Sequence, residues 1–332
     1  MTDITKTEDA RTVRARSRSS SILADVRLWA AIGFVLLLIA PHYVYPVFVA
    51  KILCFALFAA AFNLLLGFAG LLSFGHAAFF GMSAYVTGYC LQTLGFSAEL
   101  GILAGTAAGA LLGLGMGLLA IRRQGIYFAM ITLALAQMVY FVALQAPFTG
   151  GEDGMQGVPR NALFGVIDMS TNMNVYYLVL GVFCIGLFII YRTVHSPFGQ
   201  VLKSIRENEP RAISLGYDAD HYKLMAFVIS AALSGMAGSA KVMVFQLASL
   251  TDVQWQMSGE VVLMAVLGGI GTMLGPIVGA TIIISLQNEL AQIGSISTIV
   301  QGAVFVFCVL AFRRGIVGEI KHRWALWRSR SS

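Results

Sequence analysis

From Leu28 onward the chain returns repeatedly to apolar runs of about 20 residues, the length an α-helix needs to cross the hydrocarbon of a bilayer. A soluble protein with that much apolar surface would aggregate. An outer-membrane barrel would alternate apolar and polar residues in short strands, and no such alternation is present. The runs are Leu28–Val49 (interrupted by Pro41, His42 and Pro46), Ile52–Leu72, Ala77–Leu94, Glu99–Ile121, Ile126–Leu144, Val175–Tyr191, Leu224–Phe245, Val261–Leu286 and Ile296–Phe312. The fold class that follows is an all-α polytopic membrane protein.

Charge supplies the orientation. Arg and Lys gather before the first run (Lys6, Arg11, Arg14, Arg16, Arg18, Arg27) and after the last (Arg313, Arg314, Lys321, Arg323, Arg328, Arg330). Others lie at Arg122-Arg123 and around a central polar stretch (Arg192, Lys203, Arg206, Arg211, Lys223). Placing all of these in the cytoplasm satisfies the positive-inside rule, so the net charge of +6 points to lipid headgroups and not to nucleic acid. Residues 1–26 read as a disordered basic tail, 27–315 as the transmembrane domain and 316–332 as a basic cytoplasmic tail. Nothing before Leu28 has the form of a signal peptide.

With both ends inside, the number of crossings is even. Counted singly, the runs number nine. Val261–Leu286, however, contains Leu267-Gly268-Gly269-Ile270-Gly271-Thr272-Met273-Leu274-Gly275-Pro276, where glycines and a proline break a helix. Two short helices meeting at that turn make the total ten, and a re-entrant hairpin fits the same pattern. Residues 145–174 then fall outside the cell as a flexible acidic loop, with Gly150, Gly151, Asp153 and Gly154 exposed.

One stretch, Ser196–Lys223, is polar where its surroundings are not. Ser196 caps a helix, Pro197 occupies its first turn, Pro210 restarts it and Gly216 ends it in a left-handed conformation. Val201, Leu202 and Ile205 form an apolar stripe with no bilayer beside it, so the stripe requires a protein surface. Arg206, Glu207 and Glu209 place both charge signs at its rim, and Lys223 lies at its edge. On composition alone, a solvated tether and a docking element fit equally well.

Enzyme signatures are missing. No Gly-Lys dipeptide supports a phosphate loop, and His42, His76, His195, His221 and His322 lack metal-ligand spacing. Cys54, Cys90, Cys184 and Cys308 each sit in an apolar run as small core residues. No metal or cofactor is implied on this chain. Within the runs, Asn63, Gln137, Ser230, Ser234 and Glu260 carry the polar groups, and for each a helix–helix hydrogen bond competes with a pathway role. Breaks around Gly75-His76 and around Gly268, Gly269, Gly271, Gly275 and Pro276, one in each half, are the arrangement by which transporters place a path.

The stretches Gly70-Leu71-Leu72-Ser73-Phe74-Gly75-His76-Ala77-Ala78-Phe79-Phe80-Gly81, Tyr127-Phe128-Ala129-Met130, Thr149–Pro159, Ser196–Tyr217 with Ile205-Arg206-Glu207-Asn208-Glu209, and Val266–Ala280 occur in family-like order. On these the chain resembles the LivM-type permease subunits of ABC importers for branched-chain amino acids. That resemblance implies a non-catalytic permease of the bacterial inner membrane. It also implies a second permease subunit, two cytosolic ATPase subunits that alone use ATP, and a periplasmic or surface substrate-binding protein facing the 150–154 loop. It makes residues 193–223 a coupling loop, with Val201, Leu202, Ile205, Arg206, Glu207, Asn208, Glu209 and Gly216 its ATPase-coupling residues. Related permeases carry urea or short amides, so these remain alternative cargoes. An ion-coupled secondary carrier is the alternative from another class, against which the scarcity of Asp and Glu within the runs argues.

Overall fold

The computed structural model describes residues 33, 35–165, 167–290, 299–300, 302–303, 306, 310 and 315–319. The chain divides into two units, Met1–Val49 and Ala50–Ser332, which are described separately. In the first, a helix over 35–43 ends at Val44-Tyr45, and Pro46 starts the next helix in the position where its missing N–H costs nothing. The second predicted run therefore begins at Pro46, six residues before Ile52. The N-terminal tail, most of Ile296–Phe312 and the last basic cluster lie outside the described residues.

The described helices are α1 (Pro46–Asn63), α2 (His76–Gln92), α3 (Ala98–Ala120), α4 (Ile126–Gln145), α5 (Asn172–His195), α6 (Pro197–Glu207), α7 (Glu209–Ser214), α8 (Ala219–Phe245), α9 (Trp255–Gly268) and α10 (Gly275–Leu290). A π-helical segment, Leu64–Ala69, prolongs α1. Among the described residues five helices are long and apolar enough to span a membrane: Pro46–Ala69, α3, α4, α5 and α8. The protein is thus an all-α polytopic membrane protein. Helix α2, with 17 residues, is marginal for a full crossing. The 14 residues of α9 rise only about 21 Å at 1.5 Å per residue, short of a hydrocarbon layer of about 30 Å, and α10 is described over 16 residues, as far as Leu290.

Close packing on small residues organises the interior. Helix α8 packs most extensively against α3 and α2. A methyl added at Gly238 of α8 would overlap the Phe80 carbonyl oxygen of α2, so the two backbones touch where only glycine fits. Helices α9 and α10 form a hairpin of the same kind, in which a methyl on Gly279 would overlap the Met264 carbonyl. Ser258 ties α9 to α2. It sits inside α9, and its Oγ accepts the Ala77 amide at 2.9 Å, satisfying an orphan donor of α2.

The connection 146–171 is tied to the rest of the fold by backbone and side-chain hydrogen bonds. Met155–Gln156 (β1) pairs antiparallel with Leu247–Ala248 (β2). Arg160 donates to the Met243 and Val244 carbonyls at 3.0 and 2.7 Å, closing the end of α8. Asn161 does the same for α2 through the carbonyls of Leu91 and Phe96. The expectation of an open loop fails because backbone groups here find partners across the fold, which side-chain patterning does not reveal. Gly150, Gly151 and Gly154 all take positive φ within two tight turns, and Glu152 and Asp153 remain exposed.

Candidate coupling site

The polar stretch folds as its residues dictate. Ser196 Oγ accepts the Gly199 amide, and Asn208 Oδ1 accepts the Arg211 amide at 3.1 Å, so each short helix carries its own N-cap. Pro197 and Pro210 stand in the first turns, and Gly216, at φ +90°, ends the pair.

The apolar stripe is covered by the chain itself. Leu202 is fully buried in a core with Leu65, Ala69, Leu71, Phe79 and Phe227. Ile205 is buried with Ala212 and Ala219, and Val201 and Tyr222 pack alongside. Val201, Leu202 and Ile205 therefore do not form a docking face, because the missing bilayer is replaced by this protein's own helices. Two of the rim charges, Arg206 and Glu209, also bond within the chain, while Glu207 stays exposed. Arg206 Nη1 donates to the Gly67 carbonyl. Glu209 accepts from Gln124 at 3.0 Å and pairs with Lys223 at 2.5 Å. Lys223, placed at the edge by sequence, is buried.

The outward face belongs to α7 and the residues after it. Ile213, Leu215 and Tyr217 are 54%, 69% and 39% exposed, next to exposed Glu207, Asn208, Arg211 and Asp218. A shallow cleft of about 340 Å³ opens here between Gln124, Glu209, Pro210 and Ile213.

Beneath α6 lies the π-helical segment. Its widened turn sends the amides of both Gly70 and Leu71 to the Leu65 carbonyl. The Gly67 carbonyl, which an α-helix would bond to the Leu71 amide, is left for Arg206. Gly70, at φ +75°, closes the segment and leaves room for the Arg206 stem, whose Cγ would lie 2.9 Å from an added methyl. Lys203 stands 5.8 Å above the Phe68 ring.

The other side of the segment meets the glycine turn. Asn63 Oδ1 accepts the Gly271 amide and its Nδ2 donates to the Thr272 carbonyl, both at 2.9 Å. Gly67 approaches so closely that a methyl there would lie 2.6 Å from the Gly271 nitrogen. Gly269, at φ +119°, and Gly271, at +75°, form a turn that side chains oppose. Thr272 fastens it by donating to the Gly269 carbonyl and accepting the Gly275 amide, while Pro276 sits in the first turn of α10.

The structure thus brings Asn63, Arg206 and Gly271 to Gly67, with Gly268, Gly269 and Gly275 in the same turn as Gly271. Sequence reasoning missed Gly67 as a junction, together with Thr272 and the Glu209–Lys223 pair. Other candidates lie elsewhere. His76 opens α2 fully buried, its Nε2 donating to Ser230 Oγ, which donates in turn to the Ala61 carbonyl. Gly75 precedes it, a methyl there meeting Met116. Glu260 accepts from Gln287 and fastens α9 to α10. Gln137 is half-buried on α4 and makes none of the bonds that join the cluster. A buried ion pair with no sequence signature, Lys241–Asp252, joins the end of α8 to the turn before α9. An apolar cleft of about 420 Å³ lies between Leu71, Leu72 and Phe74 and the start of α4 at Ile126, Phe128 and Met130.

A multi-pass helical membrane protein with paired breaks and a structured polar insertion belongs to the class of transport permeases. Residues 47–309 match the family described as branched-chain amino acid transport system / permease component, and the chain belongs to that family. It is similar to the high-affinity branched-chain amino acid transport system permease protein LivM of Salmonella typhimurium and to that of Escherichia coli. It is 28% identical to each over 282 residues, which cover 77% of this chain and 65% of each relative. The chain thus spans less than two thirds of the length of these relatives. No solved structure matches the chain.

Proposed function

We propose that this chain is the permease subunit of an ATP-driven importer that carries branched-chain or chemically similar amino acids across the bacterial inner membrane. A second permease subunit completes the path, two cytosolic ATPase subunits hydrolyse ATP, and a soluble binding protein delivers cargo from outside. The permease itself holds no cofactor and performs no bond chemistry. Both termini and the α6–α7 segment face the cytoplasm.

The observation that carries this reading is the face of α7. Ile213, Leu215 and Tyr217 are exposed among charged neighbours, on a segment whose own stripe is already buried. Large apolar groups left open in a polar, capped segment fit a protein partner better than lipid. The LivM name of the relatives and the apolar cleft near Phe74 favour aliphatic cargo over urea.

The test is uptake of radiolabelled leucine into proteoliposomes holding this chain, its partner permease, the ATPases and loaded binding protein. Uptake should require ATP and the ATPases and should survive an uncoupler. Leucine uptake by the permeases alone, driven by an ion gradient, would overturn the proposal. Binding of urea but not leucine by the binding protein would leave the machine intact and change the cargo.

A further inference from the structure

The Gly67 carbonyl has two claimants. In the observed structure Arg206 of α6 holds it. If Leu64–Ala69 wound as an ordinary α-helix, the Leu71 amide would take it instead. A π segment that exposes a carbonyl is less well bonded along its own axis than an α-helix, so the charged donor from α6 offsets that loss. The π and α windings exclude one another, because the Leu71 amide bonds the Leu65 carbonyl in the first and the Gly67 carbonyl in the second.

The segment touches both neighbours. On one face Leu65 and Ala69 pack in the core that buries Leu202 of α6. On the other, Asn63 holds Gly271 and Thr272 by two hydrogen bonds, and Gly67 lies against Gly271. Rewinding would rotate the part of the chain that carries Gly67 and Gly70 relative to Asn63. That motion alters the contact on which the glycine turn rests.

We infer that Arg206 is a positioning residue of the transport cycle: it holds residues 64–69 in the π form through the Gly67 carbonyl. When α6 moves, the carbonyl passes to the Leu71 amide, the segment rewinds, and the α9–α10 turn is released. No proton is transferred: the Leu71 amide leaves the Leu65 carbonyl, which keeps the Gly70 amide, and the released guanidinium of exposed Arg206 is taken up by water. The inference rests on the permease reading above and adds to it the route by which motion of α6 reaches the α9–α10 hairpin.

The experiment uses the complete transporter in proteoliposomes and reads leucine imported per ATP hydrolysed. Arg206→Gln should lower that ratio at least about tenfold, as loss of a charged hydrogen bond would, while the ATPases still co-purify. Arg206→Lys, which keeps a charged donor without the planar fork, should fall between. Asn63→Ala should lower the ratio as well, and the double variant should be no worse than the poorer single one, because both act through one element. Hydrogen exchange of residues 64–74 in the wild-type complex should differ between nucleotide-free and ATP-trapped states. That measurement needs no variant to fold.

A ratio kept within about twofold of wild type in Arg206→Gln would overturn the inference. So would effects of Asn63→Ala and Arg206→Gln that simply multiply, or unchanged exchange of residues 64–74 across the cycle. If Arg206→Gln is not recovered from membranes, Arg206→Lys and the exchange measurement decide in the same way. Absence of ATP-dependent uptake by the wild type would instead defeat the permease reading itself.

Discussion

Helices α6 and α7 are adjacent, short and similarly capped, yet they treat their apolar residues in opposite ways. Helix α6 buries Leu202 and Ile205 against this chain, whereas α7 and its exit expose Ile213 and Leu215. The first is anchored in the membrane domain and the second leaves its apolar groups open. An amphipathic stripe in sequence does not distinguish these fates, because a stripe looks the same whoever covers it.

Substitutions ranked by their cost to stability can break this contrast. Leu202→Asp places an unpaired carboxylate in a sealed core, and a loss above about 4 kcal/mol is expected. The variant should be lost from detergent extracts or melt far below wild type. A protein that melts normally but loses its ATPases would return α6 to the role of a docking face.

Gly269→Val comes next. A β-branched residue at φ +119° costs about 2 kcal/mol or more. Uptake should be abolished while the protein remains in the membrane, and normal uptake would show that the turn is not under this constraint. Lys223→Ala leaves Glu209 with only Gln124 in a half-buried site, at a cost of about 1–2 kcal/mol. Adding Glu209→Gln should recover part of that loss in thermal unfolding; a fully additive pair would mean that the bond joining α7 to α8 contributes nothing.

The smallest effect on stability belongs to Ile213→Asp with Leu215→Asp, within about 0.5 kcal/mol because both positions are exposed. Co-purification of ATPases should nevertheless fall at least tenfold, given roughly 1.5–3 kcal/mol for each apolar anchor. Retained co-purification would move the partner surface away from α7.

Much of this was legible in the sequence. The broken stretch at Gly268–Pro276 and the caps at Ser196, Pro197 and Gly216 lie where glycine, proline and serine chemistry puts them. The π segment was not legible, since Leu64–Ala69 is uniformly apolar and its widened turn depends on Arg206, 139 positions away from Gly67. The burial of Lys223 and Asp252 escaped notice for a similar reason: each is compensated by a residue on another element. The β1–β2 pair involves two residues per strand, too few for any alternation to register.

Helix α8 runs 27 residues, about 40 Å. One end is clamped by β2, Arg160 and the Lys241–Asp252 pair, while the other meets α7 through Lys223. A push delivered at Lys223 would reach a helix whose far end is tied by these bonds, so a pivot is expected in place of a slide. Over such a length a tilt of about 5° swings the near end about 3.5 Å while the clamped end stays within an ångström. Spin-label distances taken from α8 to a stationary helix should therefore change near Lys223 through the transport cycle and hold constant near Val244. Equal changes at both ends would mean that the outer clamp opens with every turnover.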